Sequence, residues 1–133
     1  MSGERILLVE DERITAMAER ELLQGLGYRV TATVATGEEA VRKAVEERPD
    51  LILMDISLQG EMDGIEAAET IREQYDIPVI FVTAYTRKDL VDRVKDAESC
   101  GYIYKPISAE LLKSSIEAAL NKGGFDERLG QDD

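Results

Sequence analysis

Four sets of residues in this chain have the types and spacing for phosphate or metal chemistry: the acidic run Glu10-Asp11-Glu12, then Asp55, Thr83 and Lys105. Each stands at the end of a different short apolar run: "RILLV" (5–9), "LILM" (51–54), "PVIFVT" (78–83) and "YIY" (102–104). Clustered carboxylates repel one another, and a divalent cation relieves that repulsion. A lysine ammonium and a threonine hydroxyl are natural donors to phosphoryl oxygens. One carboxylate of such a group can act as a nucleophile and become an acyl phosphate. Asp55 is the candidate, because "LILMDIS" (51–57) delivers it from the most apolar run in the chain. Bare carboxylates seldom sit at the edge of a core without a partner or a task.

What is missing narrows the chemistry further. The sequence holds no histidine and one cysteine, Cys100. That excludes Ser-His-Asp catalysis, His-ligated zinc and thiolate metal clusters. Any metal must be held by oxygens, which points to a hard cation such as magnesium, or manganese in its place. No intrachain disulfide can form, which fits a reducing compartment. Taken singly, each site residue also has a plain structural role: "EDE" complements a helix N-terminus, Asp55 caps a loop, Thr83 is an ordinary strand residue and Lys105 is a solvated charge. Their joint placement at the ends of successive strands is what argues for a site.

The elements that must position them follow from hydrophobic periodicity. A fifth apolar run, "YRVTAT" (28–33), joins the four above. Between the runs, apolar residues recur three and four apart: Ile14, Met17, Ala18 and Leu22; Val41, Ala44 and Val45; Ile65, Ala68 and Ile71; Leu90, Val91 and Val94; Leu112, Ile116 and Leu120. These mark five amphipathic helices, each expected to bury the named residues. Thr36 and Glu39 form a capping-box pattern, Gly25 and Gly27 close the first helix, Pro78 opens a strand, and Ser108 is the N-cap expected for the last helix. The alternation (βα)₅ predicts an α/β fold with a parallel sheet covered by helices on both faces. In such sheets, sites form outside the carboxyl ends of the strands, where all four sets of residues gather.

The chain has 133 residues, 44% hydrophobic and 33% charged, with a net charge of −12. This is the composition of one folded domain. So acidic a surface argues against nucleic-acid binding. With no apolar run near ~20 residues and no signal-peptide pattern, a cytoplasmic location without membrane contact is the expectation.

The motifs "ILLVEDE", "LILMDISL", "MDGIEAAETIR", "PVIFVTAY" and "GYIYKPI", in this order, resemble the receiver domain of two-component response regulators, of the chemotaxis-regulator-like kind. The resemblance covers residues 4–121 and leaves 122–133 as a flexible tail or the start of a linker. It implies a flavodoxin-like doubly wound sheet of order 2-1-3-4-5. It also implies that Asp55 is the phosphoacceptor and that Glu10 and Asp11 hold magnesium together with Asp55 and the backbone carbonyl of Ser57. Lys105 then contacts the phosphoryl group, across a Lys105–Pro106 bond that is usually cis in the family. Thr83 and Tyr102 are the switch pair, and Ser57 and Tyr85 tune dephosphorylation. The implied partners are a sensor histidine kinase or phosphotransfer protein and a downstream protein docking on the helix 4–strand 5–helix 5 face, with a homodimer allowed. The domain is then no enzyme beyond catalysing its own phosphorylation and dephosphorylation. One departure is the loop "DISLQGEMDG", a residue longer than the commonest form, with Gln59 in place of its proline.

Rival classes fit less well. A phosphohydrolase with an aspartate nucleophile usually carries a second Asp two residues on, and position 57 is Ser. A nucleotide or flavin module needs a phosphate-cradling loop after the first strand, and here that loop is acidic. A receiver-like interaction module that is never phosphorylated is the remaining alternative.

Overall fold

The computed structural model describes residues 3–84, 88–96 and 101–132. Five strands and five helices alternate along the chain: β1 (Arg5–Val9), α1 (Arg13–Gly25), β2 (Arg29–Val34), α2 (Gly37–Glu47), β3 (Leu51–Asp55), α3 (Gly64–Arg72), β4 (Val79–Ala84), α4 (Lys88–Asp96), β5 (Gly101–Lys105) and α5 (Ala109–Asp132). The strands form one parallel sheet of order β2-β1-β3-β4-β5. This is the doubly wound α/β arrangement that the sequence predicts.

The central strands are buried along their length because both faces are covered. Every residue of β3, Leu51 to Asp55, is buried. Alternation splits the core into two layers. Leu7, Val9, Ile52, Met54, Val79 and Phe81 pack with α2, α3 and α4 residues such as Ala44, Ala68 and Val94. Ile6, Leu8, Leu51, Leu53, Val82 and Ile103 pack on the other face with Leu23 of α1 and Leu112 and Ile116 of α5. Full burial of each Leu, Ile or Val side chain contributes roughly 1.5–3 kcal/mol before chain entropy is set against it.

The caps are local chemistry. The Thr36 hydroxyl accepts from the Glu39 N–H at 3.1 Å, while the Glu39 carboxylate accepts from the Ala35 N–H and the Thr36 hydroxyl rather than from the Thr36 backbone N–H. Ser108 accepts from the Leu111 N–H, as its sequence position predicts. The full reciprocal capping box belongs to α3, between Asp63 and Glu66. The longer β3–α3 loop lies against α2: Gln59 bridges to Thr36, and Gly60, at φ +96°, sits beside the Glu38 carboxylate.

One expectation fails. Of the stripe Ile14, Met17, Ala18 and Leu22, Leu22 alone packs against the core; Ala18 is exposed, and Ile14 is 82% and Met17 59% exposed. The buried residues are Ala16, Glu19 and Leu23. Helical periodicity alone cannot choose between two overlapping stripes; how α1 docks on the sheet does. On α2, Ala44 is buried and Val41 packs against the core as expected, whereas Val45 is exposed.

Candidate functional site

The site is built at the carboxyl edge of β1, β3, β4 and β5. Parallel register brings the strand ends together: Val9 pairs with Met54, Asp55 with Val82, and Ala84 with Lys105. Glu10, one residue past β1, and Asp55, the last residue of β3, are 3% and 5% exposed. Oxygens of Glu10, Asp11 and Asp55 all lie within 4.8 Å of one another. Three carboxylates at this spacing supply a donor set suited to a hard divalent cation that keeps water in its remaining positions. The cleft around them, about 370 Å³, is lined by Asp11, Ser57, Gln59 and Lys105 among others.

Lys105 answers the negative charge. Its Nζ donates to Glu10 Oε1 at 3.2 Å and to Asp55 Oδ2 at 3.4 Å. The Lys105–Pro106 peptide is cis. Ser57 N–H donates to the second Asp55 oxygen at 3.2 Å, and Glu12 N–H to Glu10 Oε2 at 3.1 Å. Burial is the largest influence on both acids. It pushes Glu10 up to about 8, helped by the Asp55 charge beside it. It also raises Asp55, against the opposing pull of Lys105, a hydrogen bond with Glu10 and the Ser57 N–H. Burial works against the Lys105 charge, but Asp55 and Glu10 outweigh it and lift the ammonium above the ordinary lysine value. Burial, with the charge of the neighbouring acid added, thus favours the protonated form of Glu10.

Thr83, 1% exposed, has a hydroxyl with no hydrogen-bond partner among the described residues. A buried hydroxyl without a partner carries a free-energy cost, which a new acceptor in the cleft would remove. Tyr102 pairs in register with Phe81, and its neighbour Tyr104 pairs with Thr83. Thr83 and Tyr102 therefore share one face of the sheet. The Tyr102 ring, partly exposed, stacks edge-on against Tyr104 at 5.6 Å. Tyr85 and Cys100 lie outside the described residues. The structure thus brings Glu10, Asp11, Asp55, Ser57 and Lys105 to one cleft, with Thr83 buried near the end of the adjoining strand β4.

Two residues escaped the sequence reading. Asp63, the α3 N-cap, also accepts from Arg93 of α4 at 2.9 Å, tying α4 to the loop beside the cleft. Glu19 is a buried acid hidden inside a helix rich in surface charge. A capping pattern at Asp63-Gly-Ile-Glu66 was there to be read, whereas no local signal marks Glu19 or Arg93.

A doubly wound sheet with an acidic cluster and a lysine at its carboxyl edge defines a flavodoxin-like scaffold with an acidic cleft. Comparison with known proteins narrows the class. The signature of the response regulator receiver domain matches residues 6–117, and the chain belongs to that family. It is 36% identical over 118 residues to the transcriptional regulatory protein PdtaR of Mycobacterium tuberculosis, covering 89% of this chain and 57% of that protein. It is also 36% identical over 118 residues to the polar-differentiation response regulator DivK of Brucella anthropi, covering 86% of this chain and 94% of that one. The chain spans little more than half the length of several curated relatives it matches. Among solved structures, the signal receiver domain of a modulated diguanylate cyclase from Desulfovibrio desulfuricans aligns with a TM-score of 0.87 at 38% identity, covering 94% of this chain and 99% of that one. The receiver domain of the sensor histidine kinase PA1611 from Pseudomonas aeruginosa, with magnesium coordinated in its active-site cleft, aligns with a TM-score of 0.81 at 35% identity, covering 90% and 99%. Among the described residues, no helix is long and apolar enough to cross a membrane.

Proposed function

We propose that residues 4–121 form a phosphoryl-accepting receiver domain, with Asp55 as acceptor and a histidine kinase or phosphotransfer protein as donor. The observation that carries this reading is the cleft itself: three carboxylates within 4.8 Å, and Lys105 bonded to two of them. Glu10, Asp11, Asp55 and the Ser57 carbonyl would hold Mg²⁺, which supplies charge neutralisation for the transferring group. An Asp55 carboxylate oxygen attacks phosphorus of the donor phosphohistidine. The P–N bond breaks, and the imidazole nitrogen leaves with the electron pair and takes up a proton. Lys105 exchanges its carboxylate contacts for a phosphoryl oxygen. Positioning and charge neutralisation do most of the catalytic work in such transfers. Ile14 and Met17, exposed on α1 near this edge, offer apolar surface for a helical donor to cover.

The phosphoryl group also gives the Thr83 hydroxyl the acceptor it lacks. Thr83 moves toward it, Tyr102 turns inward, and the α4–β5–α5 face changes for a downstream protein. A bias of a few kcal/mol toward the active state is enough for a population shift. Ser57, beside the acceptor, and Tyr85 are the residues that set the lifetime of the acyl phosphate in this reading. The test is intact-mass measurement after incubation with phosphoramidate and Mg²⁺. A single phosphoryl adduct is expected, lost in Asp55→Asn. No adduct at any magnesium concentration would leave the non-phosphorylated interaction module as the better reading.

A further inference from the structure

Arg93 of α4 reaches across to a residue that the acceptor strand holds in place. Its Nη1 donates to Asp63 Oδ2 at 2.9 Å. The other Asp63 oxygen, Oδ1, accepts from the Glu66 N–H at 2.9 Å, and the Asp63 N–H donates to the Glu66 carboxylate at 3.0 Å. One carboxylate thus caps α3 and binds α4 at the same time. The next residue, Gly64, donates its N–H to the Ile56 carbonyl at 2.9 Å, and its Cα stands so close to the Asp55 carbonyl that no Cβ fits between them. Asp63 is therefore fixed, through the backbone, to the proposed phosphoacceptor.

The α4 end of the pair is attached to a different strand. Leu90 and Val94 carry α4 into the core layer shared with α3, and Arg93 lies outside that layer, partly exposed. β4 ends at Ala84, and α4 begins at Lys88 after three intervening residues. Thr83, with its partnerless hydroxyl, is the last residue of β4 but one. So short a connection leaves little slack, and a displacement of Thr83 toward the cleft is passed to the start of α4. Such a shift stretches the contact with Asp63, because Asp63 stays with Asp55 and Ile56. A charge-assisted hydrogen bond keeps its strength only near the distance found here.

We propose that the Asp63–Arg93 pair is a tether between α4 and the phosphoacceptor loop, made in the unphosphorylated arrangement and stretched in the phosphorylated one, so that it opposes occupation of the acceptor site. The role rests on the phosphoryl-accepting reading above. A contact made in only one of two arrangements favours that arrangement. By linkage it lowers, by the same factor, the apparent affinity of any group that favours the other. Both side chains are partly exposed, so the tether is a modest bias that one phosphoryl group overcomes.

Beryllium fluoride, a phosphoryl mimic that binds a carboxylate reversibly, tests the tether on the full chain at saturating Mg²⁺, with the bound form read by ¹⁹F NMR. Arg93→Gln deletes one charge of the pair. Asp63→Asn deletes the other and keeps a side-chain oxygen for the Glu66 N–H, so the α3 cap survives. Each variant is expected to bind beryllium fluoride about two- to fivefold more tightly than wild type, the range open to a partly exposed ion pair. The double variant should gain no more than the better single one, because the tether breaks only once. Arg93→Lys, which keeps the charge, should fall between wild type and Arg93→Gln. General destabilisation weakens binding, so a merely structural role gives the opposite sign. An Arg93→Gln protein that binds no more tightly than wild type, or gains that add in the double variant, overturns the proposal. A wild type that takes up no beryllium fluoride sinks the phosphoryl-accepting reading and the tether with it. A wild type that binds it, with Arg93→Gln no tighter, sinks the tether alone.

Discussion

Gly64 begins α3, and its Cα faces the backbone of the proposed phosphoacceptor. A Cβ at this position would lie 2.2 Å from the Asp55 carbonyl oxygen, 2.9 Å from the Ile56 Cα and 3.0 Å from the Asp55 carbonyl carbon. All three are backbone atoms, so no side-chain rotation relieves the overlap. Ordinary contact needs more than about 1 Å of movement between β3 and α3, and Gly64 N–H also donates to the Ile56 carbonyl at 2.9 Å. The expected loss for Gly64→Ala is about 3 kcal/mol, at the upper end for overpacking, which lowers Tm by roughly 10 °C in a domain of this size. Urea unfolding gives the value directly from the shift in midpoint at unchanged slope. Gly25→Ala is the control: nothing lies within 4 Å of its added Cβ, and an alanine there stabilises the helix by up to ~1 kcal/mol. A Gly64→Ala loss below about 1 kcal/mol would refute the reasoning, because it would mean that β3 and α3 separate without strain.

Other perturbations follow from the same geometry. Glu10 has an ordinary value of 4.5 and is pushed up to about 8 in the folded protein. The folded state thus holds a proton that the unfolded chain has lost, so the contribution of Glu10 to metal-free stability is full below pH 4.5 and is lost as pH rises toward 8, by on the order of 2–5 kcal/mol. Glu19 adds to the same trend up to about 7. Mg²⁺ should restore more stability near pH 8 than near pH 5, and a flat metal-free profile in urea titrations would count against the buried cluster. Asp63→Ala removes the α3 capping box and the Arg93 contact, and should cost about 1–2 kcal/mol by the same assay. Thr83→Val keeps the volume and deletes the partnerless hydroxyl, so unphosphorylated stability should stay level or rise by up to ~1 kcal/mol. The same variant should lose the Tyr102 ring shifts that phosphorylation produces in the NMR spectrum of wild type.

Much of the site was legible because its residues stand at strand ends. An apolar run that stops at an acid locates both the strand and the sheet edge, and this holds for β1 with Glu10 and β3 with Asp55. The five strands were readable because central parallel strands are buried on both faces and leave continuous apolar runs. Helix positions were readable from spacing, but the buried face of α1 was not. Ile14 and Met17 have the hydropathy of core residues, and their exposure reflects how α1 docks, which no local pattern encodes.

The sequence by itself determined the order of elements and the lack of histidine, and it nominated Glu10, Asp11, Asp55, Thr83 and Lys105 as the candidate set. Only the tertiary structure decided the distances that make them one cleft: Lys105 Nζ lies within 3.4 Å of acids 95 and 50 residues away in the chain. It also decided that Glu19 is buried and that the Thr83 hydroxyl has no partner. The physical reason is that periodicity reports what a segment does to its neighbours along the chain. Burial and charge pairing depend instead on which faces of separate segments meet, and here the parallel register of β1, β3, β4 and β5 makes that choice.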